Sequence, residues 1–271
     1  MSSAANIVSI WRYPVKSMMG EELNACYMTD KGVYGDRAYA LVDTTTGKLV
    51  NAKNPLKWPR MFEYHASYFE PPEPGQPLPQ VRVTFPDGTH GLSNEGHLNQ
   101  MLSDNFGKPL QIIKASEMFD QDIQFEGYIP DIDVLTNKNT VFTRTAPAGT
   151  FFDIAMVHIM TTATLNRLRR LIPESRLEVR RFRPNLVIDV PGEAFAENDW
   201  VGRELRLGEE VRLRIIQPTK RCVMTTLAQG DLPKDLEVLK TAVQHNQGCV
   251  GVYANVIQSG TLRRGDKLTF V

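Results

Sequence analysis

Short strand-like runs, each closed off by turn residues, recur along almost the whole chain and limit what it can fold into. "NIVSIWRYP", "ELNACYM" and "DRAYALVD" come first; the turn "TTTG" then leads into "KLVNAK", a hairpin signature. "MFEYHASYF" and "QVRVTF" flank "EPPEPGQPLP", which reads as a surface loop because proline has no N–H to give to a central strand. "PDGTHGL" is a second hairpin turn, and "LQIIKA" ends this part. Beyond residue 150, "FFDIAMVHIM", "NLVIDV" and "VRLRIIQP" read as strands, the last ended by its proline. "VGVYANVIQSGTLRRGDKLTFV" reads as two strands joined by a turn. Helical spacing is confined to a few segments. "SNEGHLNQMLSDNFG" predicts a short helix capped by Ser93. "TTATLNRLRRLI" predicts a threonine-capped helix that buries Leu165, Leu168 and Ile172. "LPKDLEVLKTAVQHN" predicts a helix capped by Asp231, with Pro233 in its first turn and Leu236, Leu239 and Val243 as its buried stripe. Many short strands with few helices predict a mostly β, α+β chain built from barrels, not a parallel doubly wound sheet.

The weak pattern from Ser116 to Thr150, acidic and then rich in Thr, Asn and Pro, divides the chain. Residues 1–115 form one module, 116–150 a connecting segment and 151–271 a second module. A formal net charge of +0 argues against a protein that coats nucleic acid, which needs a basic surplus. Three widely spaced cysteines make no disulfide framework, and a reducing compartment is expected. The start has no basic head followed by a long apolar core, and no apolar run is long enough to span a bilayer, so a cytoplasmic protein without membrane contact is expected.

Four pieces are candidates for chemistry. In "QPTKRCVMTT", Cys222 follows Lys220 and Arg221. A lone cysteine is ordinarily a small core hydrophobe, but adjacent cations favour the thiolate, which is both nucleophile and metal ligand. Cys26 and Cys249 sit in apolar strand-like runs and are expected in the core. In "YPVKS", Lys16 offers a point charge and Ser17 a short donor, a pairing that suits a phosphate; a solvated turn is the plainer reading. In "GVYGDRAYALV", Asp36 and Arg37 read as a surface pair. In "RRFRPNLVI", Arg180, Arg181 and Arg183 precede a buried strand that carries Asn185, and a solvated basic face is the plainer reading. His158, in an apolar run, is expected to be a satisfied core histidine. No P-loop or dinucleotide glycine fingerprint is present, and pyridoxal phosphate is not expected.

Taken in order, "YPVKS", "GDRAYALVD" with "KLVNAKNPLKWPRM", "FRPNLVID", "PTKRCVMTT" and the closing "GVYANVIQSGTLRRGD" resemble the MOSC family over nearly the whole chain. The resemblance implies an N-terminal β-barrel module followed by a MOSC domain, and it is to the amidoxime-reducing, hydroxylaminopurine-reducing type. It implies a molybdenum cofactor: a pterin whose dithiolene holds the metal and which carries a phosphate. Cys222 would be the thiolate on molybdenum and the catalytic residue. Lys16, Ser17 and Arg37 would hold the phosphate and pterin from one side, and Arg183 and Asn185 from the other. Arg221, Thr225 and Thr226 would line the metal pocket, with Thr161 and Thr162 as further candidates. The implied activity is reduction of a small N-hydroxylated substrate by oxygen-atom abstraction. There are too few cysteines for an iron–sulfur domain, so electrons would come from a separate flavin or iron–sulfur reductase. Two alternatives stay open: a carrier of the cofactor, or of sulfur as a persulfide on Cys222, and a two-module β protein with no cofactor.

Overall fold

The computed structural model describes residues 5–117, 123–128, 139–144 and 150–271. The strands of the first half are β1 (Asn6–Arg12), β2 (Glu21–Leu23), β3 (Ala25–Thr29), β4 (Gly32–Val33), β5 (Tyr39–Asp43), β6 (Lys48–Leu49), β7 (His65–Tyr68), β8 (Val81–Thr84), β9 (His90–Leu92) and β10 (Leu110–Lys114). Then follow β11 (Ile123–Tyr128), β12 (Asn139–Arg144), β13 (Val157–Thr161), β14 (Leu186–Asp189), β15 (Glu204–Leu207), β16 (Val211–Lys220), β17 (Cys249–Gln258), β18 (Gly260–Arg263) and β19 (Leu268–Phe270). Among the described residues there are three α-helices: α1 (Gly96–Phe106), α2 (Thr162–Leu171) and α3 (Glu237–Asn246). The chain is thus mostly β with a few helices, as its turn spacing predicts. No helix among the described residues is long and apolar enough to cross a membrane.

One sheet of eight strands runs β19-β15-β16-β17-β13-β14-β1-β2. Its pairs are antiparallel except β13 with β14, which α2 connects as a crossover. The first strand therefore ends in a sheet whose other long members come from the second half: Ile7 faces Ile188 and Ile10 faces Leu186. The sheet closes on a core of Ile7, Ile10, Met28, Ile159, Leu186, Leu213, Ile215 and Val252. Sheets β10-β5-β6-β11-β12 and β7-β8-β9 enclose a second core that includes Val15, Leu41, Trp58, Phe62, Tyr64, Val83 and Leu98. A third packs α2 and α3 through Leu165, Leu168, Val238 and Ala242 against Met160 and Val250. Burying a leucine of this kind contributes about 1.5–3 kcal/mol.

The threonine cap of α2 is present: the Thr161 hydroxyl accepts from the Thr164 N–H at 3.2 Å. The other predicted caps are displaced. Ser93 precedes α1 but accepts from the Val81 N–H at 3.0 Å, serving a strand instead, and the helix begins after Glu95. Asp231 binds Arg176 and Arg180, while Asp235 accepts from the Glu237 N–H at 3.0 Å where α3 begins. Leu236 then lies before the helix and is exposed; Val238, Leu239 and Ala242 form the buried stripe. "ELNACYM" is not one strand but two, β2 and β3, which pair with different sheets. The C-terminal stretch makes three strands, not two, because "RRGDK" turns the chain once more between β18 and β19. Pro218 does not end β16, which runs on to Lys220. Beyond Arg214 the strand pairs only with β17, through register shifts on either side of Pro218, so no neighbour requires the missing N–H. Cys26 is buried as expected, whereas Cys249 is half-buried.

Candidate functional site

The segment after β1 turns inward. Tyr13 to Met18 are all buried, so "YPVKS" is not a solvated turn. The Lys16 ammonium donates to the Phe151 carbonyl at 2.9 Å and binds the Asp153 carboxylate at 2.5 Å. The other Asp153 oxygen binds Lys53 at 2.8 Å. Burial depresses the Lys16 pKa against the pull of Asp153. Burial also disfavours the Lys53 ammonium, but Asp153 and the Cys222 sulfur outweigh it and raise its pKa. Burial likewise opposes ionisation of Asp153, yet Lys16 and Lys53 hold its carboxyl far below the usual carboxylate range.

Asp36 and Arg37 pair, but not at the surface. Asp36 is buried, accepts from the Tyr13 N–H at 2.7 Å and from the Asn185 amide at 2.9 Å, and so ties residues 149 apart in sequence. Asn185 spends its other amide hydrogen on the Trp11 carbonyl at 3.3 Å, and its oxygen accepts from the His158 N–H at 3.1 Å. Arg183 stacks on Tyr13 at 4.2 Å and donates to the Met18 carbonyl. Burial, and then Arg37, push its pKa down to about 10. The basic stretch before β14 therefore splits: Arg180 joins a surface network with Glu178 and Asp231, Arg181 is fully buried, and Arg183 lies over the Tyr13 ring, as Arg37 does.

These groups meet in one cavity of about 570 Å³, within the usual range for small-ligand sites. Lys16, Ser17, Arg37, Arg183, Asn185, Arg221 and Cys222 all line it. Lys220, read as a cation beside the thiol, lines it too, as do Lys53, Asp153, His158 and Tyr253, which the sequence reading did not assign to the site. Asp153 has a signal in the sequence, a charge inside the apolar run "FFDIAM"; Lys53 lies within the quoted "KLVNAKNPLKWPRM" without distinction from its neighbours. Ile154, Met224, Leu239 and Val243 supply an apolar side. Three of the lining residues, Ser17 (φ 64°), Arg37 (φ 49°) and Arg183 (φ 52°), hold the left-handed backbone conformation that costs a non-glycine residue about 1–3 kcal/mol. Strain of this kind concentrates where side chains must be aimed at a ligand.

Cys222 stands where β16 passes into the 3₁₀ turn Val223–Thr226, and its carbonyl accepts from the Thr225 N–H at 3.1 Å and hydroxyl at 3.0 Å. Thr225 and Thr226 thus shape the turn that carries the thiol, and neither lines the cavity. Thr161 and Thr162 lie outside it as well: Thr161 caps α2 and donates to Glu197 at 3.0 Å, and Thr162 donates to Asp189. Arg221 donates to the Phe182 carbonyl at 2.7 Å, while its Nε is buried without a hydrogen-bond partner.

His158 is the buried histidine the sequence predicts: its Nε2 lies 3.1 Å from the Val250 carbonyl, and burial, then Arg221, hold its pKa well below the usual value. It stays neutral when folded. Its stabilising contribution is present above the unfolded pKa of about 6.5 and is lost as pH falls below that, by up to about 1.4 kcal/mol per pH unit. Urea unfolding at pH 7.5 and 5.5 should show a fall in wild-type stability that His158→Gln reduces. Equal falls in the two proteins would mean that the folded imidazole takes up the proton.

A family model described as the MOSC N-terminal beta barrel domain matches residues 4–97, and one described as the MOSC domain matches residues 148–269. No curated protein matches the sequence. Among solved structures, the YUAD protein from Bacillus subtilis is similar at 11% identity over 99% of this chain and 96% of that one, with a TM-score of 0.47. YiiM from Geobacillus stearothermophilus is similar at 16% identity and a TM-score of 0.35, and YiiM from Escherichia coli at 20% and 0.34. Each YiiM match covers 43% of this chain, which spans about half (54%) of the YiiM chains. With the N-terminal barrel module and the MOSC domain matched in that order along the sequence, the chain belongs to the family of MOSC-domain proteins.

Proposed function

We propose that the protein binds a molybdenum cofactor in the cavity between its modules and reduces N-hydroxylated compounds, with electrons from a separate flavin or iron–sulfur reductase. The observation that carries this reading is the lining: Lys16, Arg37, Lys53, Arg183, Lys220 and Arg221 face one cavity with Cys222 and, among the described residues, a single carboxylate, Asp153. In a chain of net charge +0, such a concentration of cations, only partly offset by Asp153 and Asp36, favours an anionic ligand. The buried, unpartnered Nε of Arg221 is a donor waiting for one. Among the described residues no three His, Cys, Asp or Glu side chains gather into a metal site of their own. One cysteine sulfur beside a cationic wall fits a metal that arrives on an anionic organic ligand.

Lys16, Arg37 and Arg183 would hold the phosphate and pterin, and Cys222 would supply the soft ligand. When bound, the group supplies the two-electron chemistry that removes oxygen from an N–O bond. The chain's own part is to bind and orient. Asp36 fixes Arg37, Asn185 fixes Asp36, and the aromatic faces of Tyr13 and Phe152 hold the Arg37 guanidinium at 4.7 and 5.6 Å. The free thiols of Cys26, Cys222 and Cys249 suit a reducing, cytoplasmic setting.

Protein made in a host that synthesises the cofactor should contain molybdenum and pterin and should reduce benzamidoxime or a hydroxylaminopurine with reduced viologen. Molybdenum without turnover would favour the carrier; absence of both would end the reading. Lys16→Ala and Arg183→Ala should each weaken cofactor retention about 10- to 100-fold, the worth of one charge-assisted contact. Pterin content after gel filtration measures this, and full retention in both variants would remove these residues from the site.

A further inference from the structure

We propose that the Tyr253 hydroxyl donates the hydrogen bond that recognises the N–O oxygen of the substrate, which makes Tyr253 the residue that separates an N-hydroxylated compound from its unhydroxylated parent. The proposal rests on the reductase reading above. It starts from position. On β17, Tyr253 pairs with His158 of β13 on one side and with Gln217 of β16 on the other, in the middle of the eight-stranded sheet. Its ring lies 5.7 Å from the His158 ring, which is itself anchored to Val250. Two residues earlier, Gly251 (φ 80°) lets β17 close on β13: a Cβ there would stand 2.3 Å from the Ile159 carbonyl oxygen and 2.6 Å from His158 Nε2. The phenol is therefore held by strands on both sides, not by a loop.

Most of the donors around it are engaged, and those left over, such as the Arg221 Nε, are charged. Lys16 and Lys53 bind Asp153, Arg37 binds Asp36, Arg183 binds the Met18 carbonyl and one terminal nitrogen of Arg221 the Phe182 carbonyl. The Tyr253 side chain lines the same cavity, yet its hydroxyl has no hydrogen-bond partner among the described residues. It is close enough to Cys222, Arg221, Lys53 and Asp153 for each to act on its ionisation. Burial prevails over the pull of Arg221 and raises its pKa, so the phenol keeps its proton at neutral pH and is a donor. The cations suit phosphate and pterin; a neutral hydroxyl suits the uncharged oxygen of an amidoxime or hydroxylamine. The apolar wall of Ile154, Leu239 and Val243 is available for the body of such a substrate.

The test pairs two ligands that differ by one oxygen, benzamidoxime and benzamidine, with wild type and Tyr253→Phe, both loaded with cofactor and kept oxidised so that nothing turns over. By calorimetry, benzamidoxime should bind about 3- to 10-fold more weakly to the variant, the worth of one neutral hydrogen bond, while benzamidine binds both alike. Molybdenum content, pterin content and melting temperature should not change, and viologen-driven kcat/KM for benzamidoxime should fall at least as far as its affinity. Equal losses for both ligands would make Tyr253 a packing residue, and no loss for either would remove it from the site; both results overturn the proposal while leaving the reductase reading standing. A wild type that neither prefers benzamidoxime nor reduces it would overturn the two together.

Discussion

Replacing Cys222 with serine should leave a folded protein that no longer reduces an N-hydroxylated substrate. The exchange of sulfur for oxygen is nearly isosteric, and the residue is half-buried on a cavity wall, so little packing is lost. The main-chain role of the residue survives as well, because the carbonyl that accepts from Thr225 is untouched. On the proposed role, what changes is the ligand: a soft sulfur donor gives way to a hard alcohol that stays protonated at neutral pH. Turnover with reduced viologen should fall by more than the roughly 10- to 100-fold that loss of an outer partner of a metal ligand costs. Circular dichroism and the melting curve should match the wild type, and Cys249→Ser, at the other half-buried thiol, should keep full activity. Near-normal turnover in the Cys222 variant would end the metal-ligand role.

The largest loss of stability is expected from Arg181→Ala. Arg181 is fully buried and among the described residues has no carboxylate partner. Instead its Nε donates to the Arg176 carbonyl at 2.9 Å, Nη2 to Pro233 at 2.8 Å and Nη1 to Leu227 at 3.3 Å and Thr225 at 3.5 Å. It therefore knots the stretch before β14 to the far side of the turn that carries Cys222. Truncation leaves buried carbonyls without donors and a cavity where the side chain was. Unsatisfied buried groups cost about 1–3 kcal/mol each, part of which relaxation recovers, so about 3–4 kcal/mol is expected in all. For a chain of this size that is a fall in Tm of about 10 °C. Arg180→Ala, one residue away, removes an arginine paired with Glu178 and Asp231 at the surface and should cost no more than about 1 kcal/mol. Thermal melts of the two variants side by side decide the matter; similar small losses would mean that the carbonyl contacts of Arg181 add nothing. Loss of molybdenum from folded Arg181→Ala protein would further tie its carbonyl contacts to the placement of Cys222.

The sequence by itself determined the elements whose cause is local. Alternation set strands such as β8, an unbroken apolar run set β13, turn residues set the β5–β6 hairpin, and a threonine ahead of a helical stripe set the start of α2. Motif resemblance singled out Cys222 and the arginines, because a thiol beside cations stands out in any run of residues. Tertiary structure decided everything that depends on distance along the chain. Arg181 and Arg183 stand two positions apart in one basic stretch, and only the fold surrounds the first with carbonyls and lays the second over the Tyr13 ring at the cavity. The resemblance makes pocket residues of the threonines beside α2 and after Cys222, but the hydroxyls of Thr225 and Thr226 are spent on the local turn at Cys222, and those of Thr161 and Thr162 donate to Glu197 and Asp189 away from the cavity. Lys16 meets Asp153 across 137 residues, and Asp36 meets Asn185 across 149. A side chain's neighbours in the sequence report its burial and its turn; which charges it faces is set by strand pairing between the two halves, and no local pattern contains that.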